Sequence, residues 1–108
     1  MASDRGFLNY VLEQLSGLED VTYRAMMGEY IIYYQGKVIG GIYDDRFLVK
    51  ETESSRRLLP EAEYQLPYEG AKKMLAADVD DRNLLLELIP AIAGDLPALY
   101  KGKRKKKA

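Results

Sequence analysis

The sequence predicts an α+β domain, a two-layer sandwich in which an antiparallel sheet of about five strands carries helices on one face. Three observations predict it. Apolar residues recur at helical spacing at both ends of the chain, short β-branched and aromatic runs follow the first of these segments, and turn residues separate those runs at close intervals.

From Ser3 to Leu18 the apolar residues Leu8, Val11, Leu15 and Leu18, flanked by Phe7 and Leu12, lie on one helical face. Ser3 or Asp4 can cap the first orphan N–H groups, and Gly17 can take the left-handed conformation that closes the end. The period then changes. Val21 and Tyr23, Tyr30 to Tyr34, Val38-Ile39, Ile42-Tyr43 and Phe47-Leu48-Val49 form a meander of three or four strands, with turns at Met27-Gly28, Gln35-Gly36 and Asp44-Asp45. Alternation sends Tyr30, Ile32 and Tyr34 to one face and Ile31 and Tyr33 to the other. Gly40-Gly41 in mid-strand requires a bulge or a close neighbour that uses the missing side chains.

Glu51 to Leu59, with Thr52 as cap, reads as a short helix stopped before Pro60. Two more short strands follow, Glu63 to Tyr68 and Lys72 to Val79, split by Glu69-Gly70. Asp80 or Asp81 caps a last amphipathic helix carrying Leu84, Leu85, Leu88, Ile89 and Ile92, and Pro90 inside that pattern should make it kink or restart. The folded domain is expected over residues 1–97, followed by a basic, disordered tail over 98–108.

With 108 residues, 47% apolar and 31% charged, the chain is long enough for a single core that buries about two-thirds of its unfolded surface. The absence of cysteine removes disulfides and thiolate chemistry, and the absence of histidine removes most metal sites and the usual general base at neutral pH. Catalytic residues, metal and cofactor are therefore all expected to be none. The acidic groups Asp44-Asp45 and Asp78 to Asp81 read as turn and cap chemistry; counted from Asp78, a calcium loop would need Gly and Glu where Asn83 and Ile89 stand. Ser54-Ser55-Arg56-Arg57 reads as a solvated helix face. No glycine-rich phosphate loop precedes a helix.

The net charge of −1 hides an asymmetry. Six of the sixteen basic residues are Lys101, Lys103, Arg104, Lys105, Lys106 and Lys107, so residues 1–100 hold ten basic and 17 acidic side chains, a net charge of −7. An acidic body repels phosphate backbones, which leaves nucleic-acid contact to the tail or to a local patch. No apolar run approaches the 18 or so residues that cross a bilayer, and no secretory signal is present, so the protein is expected in the cytoplasm without membrane contact. Nine tyrosines stand against two phenylalanines. Tyr30, Tyr33, Tyr34 and Tyr43 fall on neighbouring strands and are the candidate partner-binding residues, since tyrosine joins a flat apolar surface to a polar tip.

The stretch Arg24-Ala25-Met26-Met27-Gly28-Glu29-Tyr30, followed by Tyr33, Gly36-Lys37-Val38-Ile39-Gly40, Asp44-Asp45 and Phe47-Leu48-Val49-Lys50, resembles the N-terminal domain of the TfoX/Sxy family of bacterial competence regulators. The similarity continues through Tyr68-Glu69-Gly70 and Met74 and covers roughly residues 5–97. It implies an α-β-β-β-α-β-β-α order similar to type III secretion chaperones, no enzymatic activity, and a role in transcriptional regulation of transformation genes. Arg24, Met26, Gly28, Tyr30, Gly36 and Lys50 are its motif positions, read as structural. Full-length members continue into a helical second domain, so the chain resembles a stand-alone copy. A protein partner, such as a transcription component, is expected at the open sheet face or an edge strand; weak nucleic-acid binding by the tail is the alternative.

Overall fold

The computed structural model describes residues 4–97. The tail, with Lys101, Lys103, Arg104, Lys105, Lys106 and Lys107, lies outside the described residues. The elements run α1 (Arg5–Gln14), β1 (Val21–Met26), β2 (Glu29–Tyr34), β3 (Lys37–Tyr43), β4 (Arg46–Val49), α2 (Glu53–Leu58), β5 (Tyr64–Gln65), β6 (Met74–Ala76) and α3 (Arg82–Asp95). All strands join one antiparallel sheet in the order β1-β2-β3-β4-β6-β5. The sheet has six strands, in keeping with the expected antiparallel sheet of about five, and four of them precede α2, within the three or four read from the sequence and one more than the resemblance implies. The added strand exists because Asp44-Asp45 turns tightly enough to separate Ile42-Tyr43 from Arg46–Val49.

The meander is held in register by three two-residue turns with positive φ at both positions, Met27-Gly28 (54° and 86°), Gln35-Gly36 (52° and 81°) and Asp44-Asp45 (54° and 57°). Turns of this hand match the right-handed twist of the strands they join. Glycine and aspartate enter the left-handed region at little cost and Gln35 keeps a polar side chain there, whereas the unbranched apolar side chain of Met27 gains nothing locally from it.

One face of the sheet meets α1 and α3. Leu8, Val11 and Leu15 from the first helical segment and Leu85, Leu88, Ile89 and Ile92 from α3 close over Ile32, Ile39, Ile42, Phe47, Val49 and Leu75, all buried. Ile39 and Ile42 have opposite parity, yet both point inward. A bulge reconciles them, since Ile32 pairs with Gly40 and Tyr33 with Val38, leaving Ile39 as the extra residue. At Gly40 a Cβ would collide with the Leu48 carbonyl and stand 2.9 Å from Val49 Cα, so β3 and β4 approach as closely as they do only because the side chain is missing.

The ends of the helices differ from expectation in detail. Gly17 does not take the left-handed conformation; the first positive φ after α1 is at Asp20, and Gly17 is small for another reason, since a Cβ there would lie 3.3 Å from Leu86 Cδ2. Asp4 precedes α1 with no side-chain capping bond, whereas the Asp81 carboxylate accepts from the Leu84 N–H at 3.2 Å and caps α3. Through Pro90 the helix α3 runs on as one element, without the restart. Thr52 caps α2 in a reciprocal box with Ser55. Ser54 and Ser55 are buried, which overturns their reading as a solvated face: the Ser55 hydroxyl donates to the Lys50 carbonyl at 2.8 Å, and the Ser54 N–H donates to Asp95 at 2.8 Å.

Candidate functional site

The face of the sheet turned away from α1 and α3 is the candidate site, and pairing registers decide which side chains reach it. Direct cross-strand partners share a face. From β1 to β6 that face carries Arg24 and Met26, then Ile31 and Tyr33, then Val38, Gly41 and Tyr43, then Arg46 and Leu48, then Met74 and Ala76. The four tyrosines singled out by the sequence are thus divided. Tyr33 and Tyr43 lie on the open face, whereas Tyr30 and Tyr34 turn to the helical side and pack against the core, Tyr30 edge-on to Tyr23 with centroids 5.9 Å apart.

The six motif positions divide as well. Gly28 and Gly36 occupy left-handed turn positions, and Tyr30 packs inward, so these three have structural reasons. Arg24 is exposed on the edge strand and Met26 is 47% exposed, neither supporting the core. Lys50 donates its N–H to the Ile39 carbonyl at 3.0 Å while its side chain lines a groove described below.

The two ends of this face have different shapes. At the β1–β2 end the side chains of Arg24 and Met26 are exposed. Met27, at the hairpin tip, is 97% exposed in a left-handed conformation, beside Met26 and Arg24. At the β4–β6 end the segment from Leu66 to Lys73 crosses the face. Arg46 fastens it, donating to the Gln65 side-chain oxygen at 2.7 Å and to the Leu66 carbonyl at 3.2 Å. Leu48, although on the face away from the helices, is fully buried at this end.

Between that segment and the sheet lies an open groove of about 760 Å³, lined by Tyr43, Tyr68, Lys50, Lys72, Lys73 and Glu51 among others. Gly41 shapes its floor: a Cβ there would sit 2.7 Å from Tyr43 Cε2, so the Tyr43 ring lies across the space the glycine leaves. Tyr68, 64% exposed, leans on Tyr43 with centroids 6.2 Å apart. Burial, reinforced by the neighbouring Tyr68, pushes the Tyr43 phenol above its ordinary value. The groove's carboxylate is already engaged, with Glu51 accepting from the Tyr64 hydroxyl at 2.8 Å and facing Arg56 at 3.5 Å.

The acidic groups serve structure. The Asp80 N–H donates to Asp78 at 3.0 Å, and Asp80 accepts from the Tyr10 hydroxyl at 2.6 Å, which raises the Tyr10 phenol. Sequence reasoning missed the groove. Lys72 and Lys73 read as the start of a strand, and Tyr68 only as part of a motif. The one local sign was two adjacent lysines in an acidic body, and nothing in the sequence tied them to Lys50 before β6 paired with β4.

The chain matches the TfoX N-terminal domain over residues 13–88. It is also 34% identical over 109 residues to a Spirochaeta aurantia protein described as an uncharacterised 12.7 kDa protein in the trpE 5′ region, with 99% of this chain and 95% of that protein covered. Among the described residues no helix is long and apolar enough to cross a membrane. The matched span takes in all three hairpin turns, both ends of the open face and the segment that covers one of them; the chain belongs to the TfoX N-terminal domain family.

Proposed function

We propose that this domain is a non-enzymatic regulatory module of the cytoplasm that acts by holding a protein partner, a transcription component of the competence type, on the β1–β2 end of its open face. Membership of the TfoX N-terminal domain family supports a competence-related regulatory role. One observation carries the choice of surface: Met27 is 97% exposed in a left-handed conformation, flanked by Met26 and Arg24. Methionine, arginine and tyrosine are the residue types enriched where proteins meet, and an apolar side chain held in a strained conformation in water is explained by a contact it makes elsewhere. Tyr33 and Ile31 continue the same surface inward.

The test is capture from native cytoplasm by the full chain. A Met26→Ser, Met27→Ser double variant should lose the captured partner by about tenfold or more, as removal of a central anchor does, while Tyr68→Ala at the other end should retain it. Wild-type capture by the double variant refutes the surface. The second reading, weak nucleic-acid binding by Lys101 to Lys107, rests on that run of charge. It requires affinity that falls steeply with salt and disappears on truncation after residue 97.

A further inference from the structure

Three of the ten basic side chains of residues 1–100, Lys50, Lys72 and Lys73, line the groove at the β4–β6 end, together with one of the seventeen acidic ones. In a body of net charge −7 this concentration is a local inversion of sign. Its one carboxylate, Glu51, is bound by Arg56 and Tyr64, which removes it as a partner for the lysines. Among the described residues neither Lys50 nor Lys72 has a carboxylate within salt-bridge distance, and Lys73 rests over the Tyr64 ring at 4.5 Å from its centroid. The same groove holds an aromatic pair, Tyr43 and Tyr68, of which Tyr68 is largely exposed.

We propose that this groove is a binding site for a free nucleoside phosphate, with the base stacked on Tyr68 and the phosphate held by Lys50 and Lys72. The volume of about 760 Å³ falls in the range of small-molecule sites, roughly 300–1,000 Å³. Lysine is depleted from the centres of protein interfaces but serves as a point-charge phosphate ligand, so this end is unsuited to the kind of contact proposed for β1–β2. Base stacking on an exposed aromatic ring tolerates any base, and a cationic rim supplies the charge. Recognition here comes from Lys50, just after β4, and from the crossing segment, with no glycine-rich loop. A long strand is disfavoured because the surrounding body repels its further phosphates.

The test titrates the isotope-labelled full chain with AMP, ADP and GMP at low salt, following amide shifts and calorimetric affinity. Saturable shifts are expected at Tyr43, Lys50 and from Ala71 to Met74. Tyr68→Ala and, separately, the Lys50→Gln, Lys72→Gln pair should each weaken binding by about tenfold, and adenosine without phosphate should bind at least about tenfold more weakly than AMP. Thermal unfolding confirms that each variant is folded; Tyr68 and Lys72 are exposed, Lys50 is half-buried, and none of the three belongs to the core. The proposal is overturned by any of four results. These are no saturable shift in the groove with any of the nucleotides, shifts confined to residues 101–107, variant affinities equal to wild type, or oligonucleotide affinity that climbs with strand length. Partner capture through Met26 and Met27 is measured independently, so either reading can fail alone.

Discussion

The two ends of the open sheet face belong to the same sheet and differ in exposure, covering and charge. At β1–β2 the sheet ends in an uncovered edge strand with Arg24 and Met26 exposed and Met27 projecting from the tip. At β4–β6 the same face is crossed by the segment from Leu66 to Lys73, Leu48 is fully buried, and a lysine-lined groove remains. The difference shows that facing away from the helices does not make a residue exposed. What decides is whether a further segment is fastened across the sheet, and here Arg46, bonded to Gln65 and Leu66, fastens it.

The largest test of that contrast compares equal truncations at the two ends. Leu48→Ala deletes a fully buried side chain and should cost about 2–5 kcal/mol, whereas Ile31→Ala, on the same face but half-buried, should cost about 1 kcal/mol. Denaturant unfolding of the two variants measures both, and equal costs would mean that the crossing segment does not seal its end of the face. Next in size is Gly41→Ala. Its Cβ would stand 2.7 Å from both the Tyr30 carbonyl and the Tyr43 ring, so about 1–3 kcal/mol should be lost and the ring displaced. The displaced ring should abolish nucleotide-induced shifts in the groove while partner capture at the hairpin tip persists in the folded fraction.

Much of this was legible beforehand, and the failures have physical causes. The three turns announced themselves because Gly28, Gly36 and the Asp44-Asp45 pair suit positive φ, and the core faces of α1 and α3 followed from helical spacing. The alternation that separated Tyr30 and Tyr34 from Tyr33 was likewise readable, and the structure keeps it. What escaped was every property set by long-range pairing. The covering of Leu48 depends on a segment more than a dozen residues away, and the meeting of Lys50 with Lys72 depends on β6 pairing with β4 rather than with β5 alone. The burial of Ser54 brings it to Asp95, forty-one residues further along the chain, while Ser55 is satisfied by Lys50 and Thr52. A serine pair beside two arginines gives no local sign of that.

Asp95, on α3, is tied to the start of α2, and its titration should reveal this. Bonds from the Ser54 backbone N–H, and then from the Ser54 and Thr52 side chains, hold its carboxyl below the ordinary value of 3.8. A carboxyl with a depressed folded value stabilises the protein above its unfolded value and loses that contribution as pH falls through the folded one. Wild type should therefore unfold at higher denaturant than Asp95→Asn from neutral pH down to about 5, with the gap closing below 3.8. Because Ser55 in the same turn of α2 holds the Lys50 carbonyl, amide exchange at Lys50 should rise in the variant, and exchange at the Met27 tip should not. A pH-independent gap would remove Asp95 from this role.

The smallest effect concerns the tip itself and runs in the opposite direction. Met27 holds a φ of 54° that costs an ordinary side chain about 1 kcal/mol and asparagine distinctly less. Met27→Asn should therefore raise stability by about 0.5 kcal/mol, a gain visible as a small increase in the unfolding midpoint. The same variant should weaken partner capture, since the exposed thioether is gone while the turn is kept. Greater stability joined to poorer binding is the pattern of a residue retained for contact rather than for folding. Should Met27→Asn prove more stable and bind as well as wild type, the strain at the tip would have no recognition role, and the surface would have to be sought further inward, at Ile31 and Tyr33.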